Sequence, residues 1–196
     1  PGTGQAPVKA NETADRMYSR VLDYLATRGE IDKSRIVVHG QSFGGYWAAK
    51  LAHTESARIA GAVVQSPPIH HTIQADFYRS RMYTREYLFD LLPASLFVYG
   101  LPSTDALLAF LPKMSLQAQG LLGTPAAPIL VVGGTRDTQV PIADLELLIN
   151  TGSEPREAWI NPAGGHMGRT AGTWPDPVIF RKIILPWEIR RLSETQ

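Results

Sequence analysis

Three short segments carry side chains suited to nucleophilic catalysis. The first is Gly40-Gln41-Ser42-Phe43-Gly44-Gly45. A hydroxyl nucleophile at the tip of a sharp strand-to-helix turn needs small neighbours, because the backbone folds back on itself and flanking side chains collide. Gly40 and Gly44 supply that room, and Gly45 lets the following helix approach closely. The Ser42 hydroxyl then stands at the tip with a helix N-terminus behind it. The Phe43 backbone N–H is left free to bind a developing oxyanion. The same glycines fit no phosphate loop. No Lys-Ser/Thr pair follows Gly45, as a Walker loop requires, and the middle glycine of a dinucleotide fingerprint falls on Ser42. An ordinary glycine-rich turn is the plain alternative.

A serine is inert without a base. His39 lies within the strand before the turn, pointing away from its tip, and reads as structural. His53 falls at a helix end, where a cation is mildly favourable. His70 and His71 enter a long segment after the second strand, where they either line the site or stand in solvent. His166, in Ala163-Gly164-Gly165-His166-Met167-Gly168, comes directly after the fourth strand on a flexible glycine-rich loop. A base reaching back to Ser42 would sit there. Asp137, in Gly133-Gly-Thr-Arg-Asp137, follows the third strand and opens onto the same sheet edge. It is expected to orient His166 and stabilise the imidazolium, or else to be a simple turn or capping residue. The chain order Ser…Asp…His, each directly after a strand, is more specific than any one of the three.

The elements that must position these residues follow from hydrophobic periodicity. Ala14, Met17, Tyr18, Val21, Leu22 and Leu25 predict a helix capped by Asn11 and closed near Gly29. Strands are predicted over Arg35–His39, Ala60–Gln65, Pro128–Val132 and Ala158–Ile160, with helices over Phe43–His53 and Ile142–Ile149. Asp176-Pro177 opens a terminal helix that Pro186 should kink or end. Continuous apolar strands alternating with helices predict an α/β fold, a parallel sheet covered on both faces. Residues 69–124 break this rhythm with no convincing strand, yet hold Phe77, Tyr78, Tyr83, Tyr87, Phe89, Phe97, Tyr99 and Phe110. Such a length is too great for an ordinary loop, so a helical insertion over the strand ends is expected. The core is then 1–68 with 125–196.

Composition narrows the class. The 196 residues are 44% hydrophobic with a net charge of +1, which argues for a folded domain rather than a disordered chain. Nineteen basic residues offset by 18 acidic ones leave no cationic excess for nucleic acid. No apolar run is long enough to span a membrane. Zero cysteines exclude disulfides and thiolate metal sites and fit a reducing, cytoplasmic setting. No H-E-x-x-H pair or carboxylate cluster calls for a metal, and no cofactor is expected. The expected partner is a small-molecule substrate, with a homodimer left open.

Together these residues resemble the α/β-hydrolase superfamily over essentially the whole chain. Gly40 to Gly44 resembles its nucleophile elbow, Gly133 to Asp137 its acid loop, and Gly165-His166 its histidine loop. The insertion sits where many members carry a helical cap. Pro1-Gly-Thr-Gly-Gln5 resembles the D-x-P-G-x-G turn of an esterase-like branch. That branch includes the fermentation/respiration-switch protein, dihydroxypseudooxynicotine hydrolase and fungal polyketide-shortening hydrolases. The resemblance implies several further strands before Pro1 and a second oxyanion donor there, so the chain is expected to be the C-terminal portion of a longer one. It also implies a cofactor-free serine hydrolase of esters, with Ser42, Asp137 and His166 catalytic. The aromatic insertion points to a bulky apolar or aromatic substrate touched by Gln41, His70, His71, Phe77 and Tyr78. Arg79, Arg81 and Arg85 either receive a carboxylate or form a solvated helix face. Carbon–carbon cleavage of a 1,3-diketone uses the same triad, and a non-catalytic binding protein of this fold is the reading from another class.

Overall fold

The computed structural model describes residues 1–83, 90–152 and 156–194. Arg85, Tyr87 and Phe89 lie outside them. Four strands form one sheet in chain order: β1 (Val37–Gln41), β2 (Gly61–Gln65), β3 (Ile129–Gly134) and β4 (Arg156–Asn161). All neighbouring pairs are parallel. Every strand therefore ends on the same edge, and the loops that follow β1, β3 and β4 meet there.

Side-chain alternation divides the sheet between two cores. Ala62, Val64, Ile129 and Val131 enter the larger one, and Val63, Leu130 and Val132 enter the smaller. Helix α2 (Phe43–Thr54) and helix α6 (Ile142–Ile149) cover the first face, with Tyr46, Ala49, Leu145 and Leu148 fully buried. The C-terminal helices cover the second through Ile179, Ile184 and Trp187. Burial on both sides is why the two central strands, β2 and β3, read as apolar runs, while the edge strands β1 and β4 keep exposed polar residues.

The boundaries differ from expectation in ways that hydropathy does not register. Ladder bonding carries β1 through Gln41 and β3 through Gly134, and β4 begins at Arg156. Helix α1 is Arg16–Ala26, not a helix capped by Asn11. The Asn11 side chain instead accepts from the Thr13 N–H at 2.9 Å and shapes a turn ahead of the helix. At the C-terminus α7 (Asp176–Ile179) runs through a π turn, Phe180–Ile184, into α8 (Leu185–Ser193). Pro186 thus neither ends nor stops the helix. The widened turn just before it accommodates the missing N–H and the ring.

Between β2 and β3 the described residues form α3 (Ala75–Arg81), α4 (Leu91–Tyr99) and α5 (Thr104–Phe110), with short 3-10 turns at each end and no strand. Ser103 caps α5, accepting from the Ala106 N–H at 3.2 Å. The opening segment is fastened to α4: Ala10 N–H donates to the Val98 carbonyl at 3.0 Å. Gly2 lies in the left-handed region, and a Cβ there would stand 2.2 Å from that carbonyl oxygen. Buried Lys50 of α2 joins this region to the rest, pairing with Asp15 at 3.2 Å and Gln119 at 2.8 Å. Among the described residues no single helix is long and apolar enough to cross a membrane.

Candidate active site

Ser42 sits between β1 and α2 with φ 50° and ψ −119°, a conformation that a residue with a Cβ seldom adopts. The turn is clamped from below, where the Ser42 N–H donates to the Gln65 carbonyl at 2.7 Å. Gly40 is required, since a Cβ on it would lie 2.0 Å from the Gly44 carbonyl oxygen. Gly45 approaches the Gln65 carbonyl so closely that a Cβ would be 3.0 Å from it. Gly44 plays a different part from the one its spacing suggests, because a Cβ there would meet nothing within 4 Å. Its side faces open space. Phe43 is the first residue of α2, where the backbone N–H has no intrahelical acceptor.

Asp137 and His166 meet across the loops after β3 and β4. The His166 Nδ1–H donates to Asp137 Oδ2 at 2.9 Å, with the carboxylate side chain 1% exposed. The other oxygen, Oδ1, accepts the Gln139 and Val140 N–H groups, each at 2.9 Å. Burial alone would push the Asp137 carboxyl up. The hydrogen bond and charge of His166, with further bonds from Val140 and Ser66, reverse that and hold it below the ordinary carboxylate range. An ionised acid fixed against Nδ1 leaves Nε2 as the free ring nitrogen. Among the described residues no hydrogen bond yet links that ring to the Ser42 hydroxyl, a contact that commonly tightens only with substrate in place.

The histidine loop is tied down rather than flexible. Gln65 Nε2 donates to the Met167 carbonyl at 2.8 Å, and the Met167 N–H donates to Ser66 Oγ at 2.9 Å. Two of its glycines serve close approach, for a Cβ on Gly164 would stand 2.7 Å from the Gly168 carbonyl oxygen and one on Gly168 2.9 Å from that of Gly133. Gln65 and Ser66 therefore join all three loops, Gln65 to the elbow and Ser66 to the acid. Neither is marked by any sequence motif.

A cavity of about 370 Å³ opens beside this cluster. Ser42 and Phe43 form part of its wall, with Val140 from the acid loop, Thr3 from the opening segment, and Tyr78, Ser95 and Tyr99 from the insertion. Asp137 and His166 stand beside it rather than in its wall. Of the residues expected to touch substrate, only Tyr78 walls this cavity. Gln41 is exposed and donates to Gln65 at 3.0 Å. His70 Nδ1 lies 2.7 Å from Ser115 Oγ, and exposed His71 packs edge-on to the His70 ring. Phe77 turns toward Arg81, whose guanidinium lies 5.7 Å from its ring centroid. Arg79 pairs with exposed Asp76 at 3.0 Å, and neither arginine walls the cavity.

The reason His70 and His71 stay out of the cavity is Asp144, a residue the sequence did not single out. Its fully buried carboxylate accepts the N–H groups of His70, His71 and Thr72 at 2.8, 2.7 and 2.9 Å, and the Thr72 hydroxyl. This junction turns Thr72 and Ile73 into the cavity wall. Two other histidines are structural. His39 lies 3.5 Å from Glu188 and stacks on Phe180. Burial, and then the charge of Arg156, push His53 down, so it is a neutral buried ring near the Thr124 carbonyl and not the helix-end cation its position suggests. Among the described residues no cluster of three His, Cys, Asp or Glu side chains could hold a metal ion.

The family model described as Esterase FrsA-like matches residues 5–161. The chain belongs to the FrsA-like esterase family. It is 30% identical over 156 residues to Esterase FrsA of Pectobacterium atrosepticum, covering 78% of this chain and 36% of that protein. Against Esterase FrsA of Escherichia coli O139:H28 the identity is 31% over 147 residues, covering 74% and 35%. This FrsA-like chain thus spans about a third of the length of the curated relatives it matches. In fold it is similar to 2,6-dihydroxy-pseudo-oxynicotine hydrolase, with a TM-score of 0.78 at 19% identity over 98% of this chain and 51% of that one. AbyA5 gives 0.75 at 19% identity, covering 98% and 53%. The fold is that of the α/β-hydrolases.

Proposed function

We propose that the chain carries the catalytic centre of a serine hydrolase that cleaves esters of bulky apolar or aromatic small molecules. Ser42 is the nucleophile, His166 the base, Asp137 the residue that orients it, and the Phe43 N–H one oxyanion donor. The insertion, 69–124, acts as the cap over the substrate. The observation that carries this reading is the hydrogen bond from His166 to a buried, ionised Asp137 on the edge where Ser42 is held in a strained turn. Membership of the FrsA-like family supports the reaction class.

In the reaction Ser42 Oγ adds to the ester carbonyl while its proton passes to His166 Nε2. The C–O bond to the alcohol breaks as His166 returns that proton to the leaving oxygen, giving an acyl-enzyme. Water then attacks the acyl carbonyl, losing a proton to His166, and the C–Oγ bond breaks as His166 returns that proton to Ser42 Oγ and the carboxylic acid leaves. The Phe43 N–H, aligned with the α2 dipole, contributes about 3 kcal/mol to the oxyanion by the scale of single-donor deletions.

The test is steady-state turnover of short p-nitrophenyl esters beside an acyl-ketone substrate, with Ser42→Ala as control. Ester turnover that vanishes in Ser42→Ala is the expected result. Turnover of the ketone alone would move the chemistry to carbon–carbon cleavage. Equal rates in wild type and variant would remove Ser42 from the mechanism.

A further inference from the structure

Of the polar side chains in the cavity wall, Tyr78, Ser95 and Thr72 have hydrogen-bond partners among the described residues, whereas the hydroxyls of Thr3, Ser42 and Tyr99 have none. Tyr78 donates to Ser95 Oγ, Tyr46 donates to the Met114 carbonyl at 2.7 Å, and Thr72 donates to Asp144. Tyr99 differs. Its ring walls the cavity, set edge-on to Phe43 with centroids 6.1 Å apart and tilted against Phe110 at 5.6 Å. Its hydroxyl has no hydrogen-bond partner among the described residues. Tyr99 is half-buried and its hydroxyl is not sealed from water, so a ligand oxygen can take the place of that water. Burial, together with the neighbouring phenols of Tyr78 and Tyr46, pushes Tyr99 up, so it stays a neutral O–H able to donate.

The surroundings limit what could accept that bond. No charged side chain belongs to the cavity wall among the described residues, so none of these residues would pair with a carboxylate or ammonium there. The polar neighbours of Tyr99 are the phenols of Tyr78 in the insertion and Tyr46 in α2, not groups of the acid or histidine loop. We propose, building on the ester-hydrolase reading, that Tyr99 is a specificity-determining residue. Its hydroxyl donates to a neutral oxygen (ether, ketone or hydroxyl) carried on the apolar part of the substrate, away from the scissile carbonyl. The substrate class is thereby an uncharged, oxygen-bearing apolar ester rather than a plain hydrocarbon one.

The experiment compares p-nitrophenyl hexanoate with its isosteres in which an ether oxygen replaces acyl carbon 3, 4 or 5. Wild-type full chain and Tyr99→Phe are assayed for kcat/KM on all of them. The expected result is that at least one ether ester loses about 3- to 10-fold relative to hexanoate in Tyr99→Phe, the size of one neutral hydrogen bond. The readout is the ratio of each ether ester to hexanoate within one protein, so a change on hexanoate itself cancels. Calorimetric binding of the same esters to Ser42→Ala, with and without Tyr99→Phe, should show the same relative loss without any turnover. Ratios unchanged by Tyr99→Phe would overturn the proposal. So would an equal loss on every ester, which would put the hydroxyl at the scissile carbonyl. If wild type turned over no ester, the hydrolase reading would fail, and the binding ratios alone would decide the role of Tyr99.

Discussion

At the carboxyl edge of the sheet, three loops pack backbone on backbone, with the Gln65 and Ser66 side chains tying them together. A Cβ on Gly40 would stand 2.0 Å from the Gly44 carbonyl oxygen, and one on Gly134 would stand 2.2 Å from that of Gly164. In the insertion the joints are side chains reaching across the sequence: Asp144 to the amides of 70–72, Tyr78 to Ser95, and His70 to Ser115. Backbone joints leave no freedom to shift and suit a cluster that must hold a serine, an imidazole and a carboxylate in register. Side-chain joints can be exchanged without moving the sheet, which suits a wall that sets what the cavity accepts. Altering the edge should remove chemistry, and altering the insertion should change selectivity.

The largest expected effect lies at the edge. His166→Gln should lower turnover by about 10⁴-fold or more in steady-state assays with circular dichroism unchanged, while His53→Gln stays within about 2-fold. Next comes Gly40→Ala, which should lose about 3 kcal/mol in urea denaturation because the new methyl has no space. Gly44→Ala should be neutral or up to about 1 kcal/mol stabilising, since the position is open and helical. Equal costs for the two glycines would contradict the account of the elbow.

At the junction of α6 with the insertion, Asp144→Asn replaces a buried acceptor of four hydrogen bonds by an amide that also donates. A loss of about 2 kcal/mol is expected, with KM raised more than kcat because the wall at Thr72 and Ile73 shifts. An unchanged KM would separate the junction from the cavity. The smallest effect is on pH dependence. Asp137 in the folded chain is held below its ordinary range, so its contribution to stability is complete above its unfolded value, near pH 3.9, and is lost as pH falls through the folded one. Unfolding free energies of wild type and Asp137→Asn should therefore converge as pH is lowered below about 4. A gap that stays constant through acid would show that the carboxylate is not specifically stabilised.

The same contrast explains what was legible in the sequence. The strands, the turn at Ser42 and the loops of Asp137 and His166 carry local signals, because β-branched runs and glycines are dictated by the positions they occupy. Gly44 shows the limit of that argument, for its spacing matches the elbow pattern while its surroundings leave it free. Gln65, Ser66 and Asp144 left no signal, being common residue types whose partners lie far away in the chain. Gln41, His70, His71 and Phe77 were attractive as substrate contacts by proximity alone. None of the four belongs to the cavity wall, and their contacts are hydrogen bonds for the first three and Arg81 for Phe77. Pro186 does not end the helix, because a π turn, which hydropathy does not register, precedes it.

The central claim, that Ser42 is a nucleophile activated by His166, is tested most directly by covalent labelling with a fluorophosphonate. Intact-mass and peptide mapping should find one adduct, on Ser42, formed rapidly by wild type, far more slowly by His166→Gln and not at all by Ser42→Ala. A folded wild-type chain that forms no adduct, or one labelled on another residue at the same rate in all three proteins, would contradict it.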